Sequence, residues 1–185
     1  MIFGILFVAI IFSFQISATP KAVIIIRHGE KSSDKSDINL NQKGRERAAA
    51  LAPYFAGREL FKDLKITKIF AKNIGPKDAS MRPIETIIPT ANLLKISINK
   101  DFLKEEIGAL TNHILTHKSC DKQIVLICWA HEKIYEMVSL FGVKNHKKKW
   151  HGDVFDRTLI INFNGDKIEQ YRDLPQRLLY GDSTN

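Results

Sequence analysis

Cysteine is scarce in this chain of 185 residues: there are two, Cys120 and Cys128. Eight residues of extended chain would hold them roughly 26 Å apart, far beyond disulfide reach unless the chain bends back. A disulfide framework is therefore not what stabilises the fold, and a chain of this length is long enough to bury an apolar core instead. Cys128, inside an apolar run, reads as a small core residue. Internal repeats and low-complexity tracts are absent, which removes solenoid and array architectures. Acidic residues are in the minority, 20 against 28 Lys and Arg, giving a formal charge of +8 that suits an anionic substrate or an anionic surface. Aromatic residues are not interleaved with the basic ones along a strand or helix, so nucleic acid is not the expected partner. Much of the basic excess lies in residues 144–149 (KNHKKK), beside Trp150 and His151, a pattern expected of a solvated loop.

The one long apolar run is at the start. Residues 1–18 (MIFGILFVAIIFSFQISA) are short of the roughly 20 needed to span a bilayer and end in Ser17-Ala18-Thr19-Pro20, small and polar residues suited to signal-peptidase cleavage after Ala18. The region before the apolar stretch carries no Lys or Arg, only the terminal amine. We read 1–18 as an export signal and 19–185 as one folded domain, periplasmic or secreted, with no stable membrane insertion after cleavage.

The most informative stretch is 21–31, KAVIIIRHGEK. Ala22 to Ile26, four of the five β-branched, form a short apolar run expected of a strand covered on both faces. It delivers Arg27 and His28 to its carboxyl end, where an open α/β sheet places its ligand crevice, and Gly29 lets the backbone turn tightly there. Arginine offers a planar fork of donors matched to phosphate oxygens, and a neutral imidazole nitrogen can attack phosphorus. A second apolar run, 123–130 (QIVLICWA), ends the same way at His131-Glu132. If the two strands are parallel, His28 and His131 face one crevice.

Between these strands, residues 45–55 (RERAAALAPYF) have helical spacing, with Pro53 expected to distort or end the helix. Residues 65–72 (KITKIFAK) read as a strand. In 80–86 (SMRPIET), Pro83 marks a helix start beside Arg82. A guanidinium at an already positive helix end is unfavourable unless an anion sits between them. Pro89 is expected to kink or end that helix. Residues 96–98 suggest a short strand and 101–117 a helix, with Glu105 and Glu106 in its first turn. His113, His117 and Cys120 have the spacing of metal ligands, but no fourth ligand is evident. Residues 155–164 and 167–171 read as a closing hairpin around Asn164-Gly165-Asp166.

Together, Ile26 to Lys31 (IRHGEK), the turn LNQKG at 40–44, SMRPIET at 80–86 and Trp129-Ala130-His131 resemble the histidine phosphatase superfamily, which includes phosphoglycerate mutases and many phosphatases. The resemblance implies a three-layer α/β/α sandwich with a mostly parallel central sheet and helices on both faces. It implies that His28 is the nucleophile that becomes phosphohistidine, that Arg27, Arg82 and His131 complete the phosphate pocket, and that Glu106, or else Glu105 or Asp101, supplies the proton. No cofactor is implied, because arginines supply the electrostatic stabilisation that a metal gives elsewhere. The expected activity is hydrolysis of a phosphomonoester, either a small phosphorylated substrate or a phosphoprotein. A departure is Glu132, where relatives commonly have glycine: a carboxylate beside the pocket opposes an anionic substrate. That leaves a second expectation, an idle member of the superfamily that binds phosphorylated ligands without turnover. Export has a direct check: protein from its native host should begin at Thr19 or within a few residues of it, and intact Met1 in the cytosolic fraction would refute the assignment.

Overall fold

A computed structural model describes residues 18–183. The stretch read as an export signal lies outside the described residues apart from Ala18. The chain forms a six-stranded sheet in the order β3-β2-β4-β1-β5-β6, with β1 Ala22–Arg27, β2 Lys68–Ala71, β3 Ile98–Asn99, β4 Ile124–Trp129, β5 Arg157–Asn164 and β6 Lys167–Pro175. The first four strands are mutually parallel and the last two antiparallel. Every residue of β1 and β4 is buried, as their unbroken apolar runs require of strands covered on both faces.

The side-chain alternation of the two central strands builds the layers. Ala22, Ile24 and Ile26 of β1, with Leu126 and Cys128 of β4, pack under α1 (Gln42–Gly57) and α2 (Arg82–Leu94), where Leu51, Phe55, Ile84 and Ile87 meet them. Val23, Ile25, Val125 and Ile127 point to the opposite face and pack against Leu110 and Ile114 of α3 (Ile107–Thr116) and Ile134 and Val138 of α4 (His131–Leu140). The result is the expected three-layer sandwich. Cys120 and Cys128 are both free and buried.

Three local expectations are corrected. Pro53 and Pro89 neither end nor break their helices, which continue to Gly57 and Leu94. Pro53 is exposed and Pro89 half-buried, so water can serve the carbonyls they leave unbonded, while the buried faces of both helices stay packed. The helix expected over 101–117 starts only at Ile107; Glu106 is its N-cap residue, with its Oε2 accepting from Leu103 N–H at 2.7 Å.

The chain beyond β6 has a structural role that its composition did not announce. Arg47, 1% exposed, projects from α1 into a pocket of acceptors: Glu30 Oε1 at 2.7 Å, Asp182 Oδ1 at 2.7 Å and Gln176 Oε1 at 3.2 Å. Asp182 also caps the tail's own turn by accepting from Leu178 and Leu179 N–H, and Ser183 N–H bonds Asp156. Arg47 thus ties the residue after His28-Gly29 to the end of the chain. Removing it would leave two buried carboxylates without their cation, so Arg47→Met should lower the unfolding free energy by about 3–5 kcal/mol, read from urea titration. Lys62→Ala, which removes only an exposed pair with Glu59, should change it by less than about 0.5 kcal/mol.

Candidate active site

The parallel pairing of β1 with β4 sets Arg27 opposite Trp129, so both strands end on the same edge and the residues that follow, His28 and His131, emerge side by side. β2 joins the same edge, with Ala71 opposite Cys128, and leads through a loop to Arg82 at the start of α2. Antiparallel β5 begins at this edge, which brings the segment before it, 150–156, over the site. Neither α2 nor α4 has a side-chain cap: Met81 and Ala130 precede them, and Arg82 and His131 are their first residues. Two uncapped helix ends and the C-terminal edge of a parallel sheet favour an anion between them.

A close approach of backbone fixes the turn after His28. A Cβ at Gly29 would stand 2.9 Å from Gly44 O, and one at Gly44 only 2.3 Å from Glu30 O. Glycine is required at both positions so that the start of α1 can press against this turn. The turn is also held from α2: Gly29 N–H donates to Thr86 Oγ1 at 2.8 Å, and that hydroxyl donates to Arg82 O at 2.7 Å.

His28 is 6% exposed, and its Nδ1 lies 2.7 Å from Gly29 O. A carbonyl can only accept, so Nδ1 carries the proton and Nε2 keeps its lone pair. Burial, then the charges of Arg27, Arg82 and His131, push its pKa down to about 3 against the bond to Gly29 O, which works the other way. The imidazole is neutral at physiological pH.

Arg27 is fully buried. Its Nη1 donates to Val154 O at 2.7 Å and, more weakly, to His151 O at 3.3 Å, and its guanidinium lies 3.6 Å from the centroid of the Phe155 ring. Its Nε and Nη2 have no protein partner. Burial pulls its pKa down to about 10, against the charges of Glu132, Glu30 and Asp153, which leaves it cationic at neutral pH. Arg82 donates from Nη1 to Asp37 O at 3.0 Å, and its Nε is likewise buried with no partner. His131 Nδ1 sits 3.2 Å from Glu132 Oε2, near enough for an ion pair but too oblique for a hydrogen bond.

Arg27, His28, Arg82 and His131 are therefore gathered at one edge of the sheet. Glu106 is turned to its own helix start, where its Oε2 accepts from Leu103 N–H. It lines a neighbouring hollow of about 500 Å³ with Asp78, Leu103 and Lys104. Glu105 pairs with Lys133 at 2.6 Å. Asp101 accepts from the side chain of Asn99. The carboxylate that touches the site is Glu132, whose Oε1 also pairs with Lys104 at 3.4 Å; contact with His131 is the largest influence holding its carboxyl well below the usual range. Sequence reasoning missed Phe155, Asp153 and Lys72. Lys72 follows β2, is 1% exposed, and bonds Asp78 at 3.1 Å, fixing the loop that leads to Arg82. Topology could have found Phe155, since it directly precedes a strand antiparallel to β1.

No protein-family model matches the sequence, and no curated protein does. Solved structures do match. A protein histidine phosphatase SixA, complexed with tungstate, superposes with a TM-score of 0.58 at 13% identity, covering 81% of this chain and 95% of that one. A protein of Agrobacterium tumefaciens assigned as a phosphohistidine phosphatase SixA gives 0.54 at 11% identity, covering 83% and 97%. A mycobacterial glucosyl-3-phosphoglycerate phosphatase bound to inorganic phosphate gives 0.54 at 10%, covering 83% and 95%. At these identities the likeness is one of fold: the chain has the fold of the histidine phosphatases, the fold its motifs implied.

The depressed pKa of His28 has a measurable consequence for stability. Between about pH 3 and the ordinary histidine value of about 6.5, the unfolded chain binds a proton at this position and the folded chain does not. Stability contributed by neutral His28 is thus complete above that window and falls as pH drops through it. In urea titrations across this range, His28→Asn should lose less stability on acidification than the unaltered protein, with parallel curves above pH ~7; identical slopes throughout would show that the imidazole is not held neutral.

Proposed function

We propose that the protein hydrolyses phosphomonoesters through a phosphohistidine formed on His28. The observation that carries this reading is a buried imidazole held neutral, with its lone pair on Nε2, within electrostatic reach of Arg27, Arg82 and His131. In the first step Nε2 attacks phosphorus, the bond from phosphorus to the ester oxygen breaks, and the departing oxygen takes a proton. The unpartnered Nε and Nη2 of Arg27, Nε of Arg82 and the His131 ring are the donors available to the phosphoryl oxygens as charge builds on them. In the second step water attacks the phosphohistidine, the carboxylate left by the first step takes the water's proton, the bond from phosphorus to Nε2 breaks, and inorganic phosphate leaves with neutral His28 restored. Metal is not needed for the charge balance, since two guanidinium groups offset the phosphoryl charge.

Two carboxylates compete for the role of proton donor. Glu106, implied by the resemblance, is engaged by Leu103 N–H, whereas Glu132 contacts His131. We assign the proton to Glu132. In the free protein its contacts with His131 and Lys104 keep it ionised; a phosphate dianion bound beside His131 adds negative charge next to the carboxylate and raises its affinity for a proton.

Turnover of nitrophenyl phosphate with an acid-labile phosphoryl group trapped on His28 is the expected result, and His28→Ala should abolish both. Arg82→Ala and His131→Ala should each lower kcat/KM by about 10²–10³-fold. Glu132→Gln should damage hydrolysis of an alkyl phosphate far more than that of nitrophenyl phosphate, whose leaving group departs without protonation. If that selectivity appears in Glu106→Gln instead, the proton comes from Glu106. Saturable phosphate binding without turnover would establish the idle alternative.

A further inference from the structure

We infer that the cleft between α4 and the basic segment 144–150 is a subsite for a second anionic group, so that the substrate is a small phosphomonoester carrying another negative charge. The inference rests on the phosphate pocket proposed above, because the cleft, of about 480 Å³, has His131 as one of its walls. That volume lies within the range of small-molecule sites. Its opposite wall is formed by His146, Lys148, Lys149 and Trp150.

The composition of 144–149 suggested a solvated loop, but the segment is fastened at several points. Trp150 is 7% exposed and donates from Nε1 to Val154 O at 2.8 Å, the same carbonyl that receives Arg27. The His146 ring stacks on Tyr135 with centroids 5.6 Å apart, and its Nε2 lies 2.8 Å from Ser139 Oγ. Lys147 pairs with Asp173 at 3.2 Å. The lysines on either side of these anchors are therefore presented on a held backbone.

The charges across the cleft are unequal. Its two carboxylates are already answered: Glu132 by His131 and Lys104, and Glu136 by Lys133 at 3.3 Å. Lys148 and Lys149 have no ion-pair partner among the described residues. A phosphomonoester seated against His131 would extend its other end along this cleft toward two uncompensated ammonium groups. A carboxylate or a second phosphate satisfies that chemistry equally well.

The test compares binding of butylphosphonate and phosphonobutanoate, ligands that differ in a terminal carboxylate, by calorimetry on the folded protein. A bisphosphonate of the same length forms a third arm that distinguishes the two anions. The carboxylated ligand should bind about three- to tenfold tighter, the scale of two exposed charge contacts, and the advantage should shrink in high salt. In the double variant Lys148→Gln/Lys149→Gln the ratio of the two affinities should fall to about one, and in Lys148→Glu/Lys149→Glu it should invert. A ratio unchanged by either variant overturns the subsite. So does a loss confined to an acidic phosphopeptide, which would make the lysines a protein-docking surface. If butylphosphonate and inorganic phosphate both fail to bind, the phosphate pocket itself is refuted. If they bind and the carboxylate adds nothing, only the second subsite fails.

Discussion

The constraint on which the rest of the structure depends is the holding together of like charges in a place with little water. Arg27 is fully buried, Arg82 and His131 stand near it, and the carboxylates that bear on Arg27 do not cap its free nitrogens. Each buried donor left unmet costs about 1–3 kcal/mol. Three such nitrogens, Nε and Nη2 of Arg27 and Nε of Arg82, are a local destabilisation that a bound oxyanion would reverse. Sites that bind by electrostatics store this kind of cost in the free protein, because donors already in place need no reorganisation when charge develops.

Several contacts away from the site keep it from relaxing. Val154 O and the Phe155 ring hold the Arg27 guanidinium from one side, and Asp37 O holds Arg82 from the other. The turn between His28 and Glu30 cannot move away from α1, because Gly29 and Gly44 leave no gap. Nor can Glu30 swing toward Arg27 without giving up Arg47, to which it is bonded from both carboxylate oxygens. This last point bears on function. A free Glu30 would neutralise the pocket; bound to Arg47, it contributes only at a distance. Asp182, at the far end of the chain, shares the same guanidinium and so helps keep the pocket positive.

The parts of the fold that were legible in the sequence are those written in local pattern. The unbroken apolar runs of β1 and β4 gave two strands covered on both faces, and their matched endings placed His28 and His131 on one edge. Pro83 marked the start of α2, with Arg82 at its first position. What was not legible depends on contacts between distant segments. Nothing local announces that Asp182 will meet Arg47, or that the segment after α4 is pinned through Trp150 and His146. The prolines misled for a related reason: Pro53 and Pro89 cost each helix a hydrogen bond, and only the packing of α1 on α2 against the sheet shows why that cost is tolerated. The delayed start of α3 goes with a turn in which Leu103 N–H bonds the Glu106 carboxylate and Glu106 N–H bonds Leu103 O, which a helical pattern beginning at Asp101 gives no reason to expect.

The state of His28 also weighs between an enzyme and a simple binder. A site selected only to hold phosphate would gain from an imidazolium, which adds one more positive charge and two donors. Here the ring is kept neutral by burial and by the nearby guanidinium groups of Arg27 and Arg82, which outweigh the opposing bond to Gly29 O, while that same bond fixes the proton on Nδ1 and leaves the lone pair on Nε2. A neutral ring gives phosphate one positive charge fewer than an imidazolium would, and it keeps a lone pair free for attack. The arrangement gives up part of the available ground-state attraction for a reactive nitrogen, which is the direction expected where the transition state, not the bound ester, is what the site must stabilise.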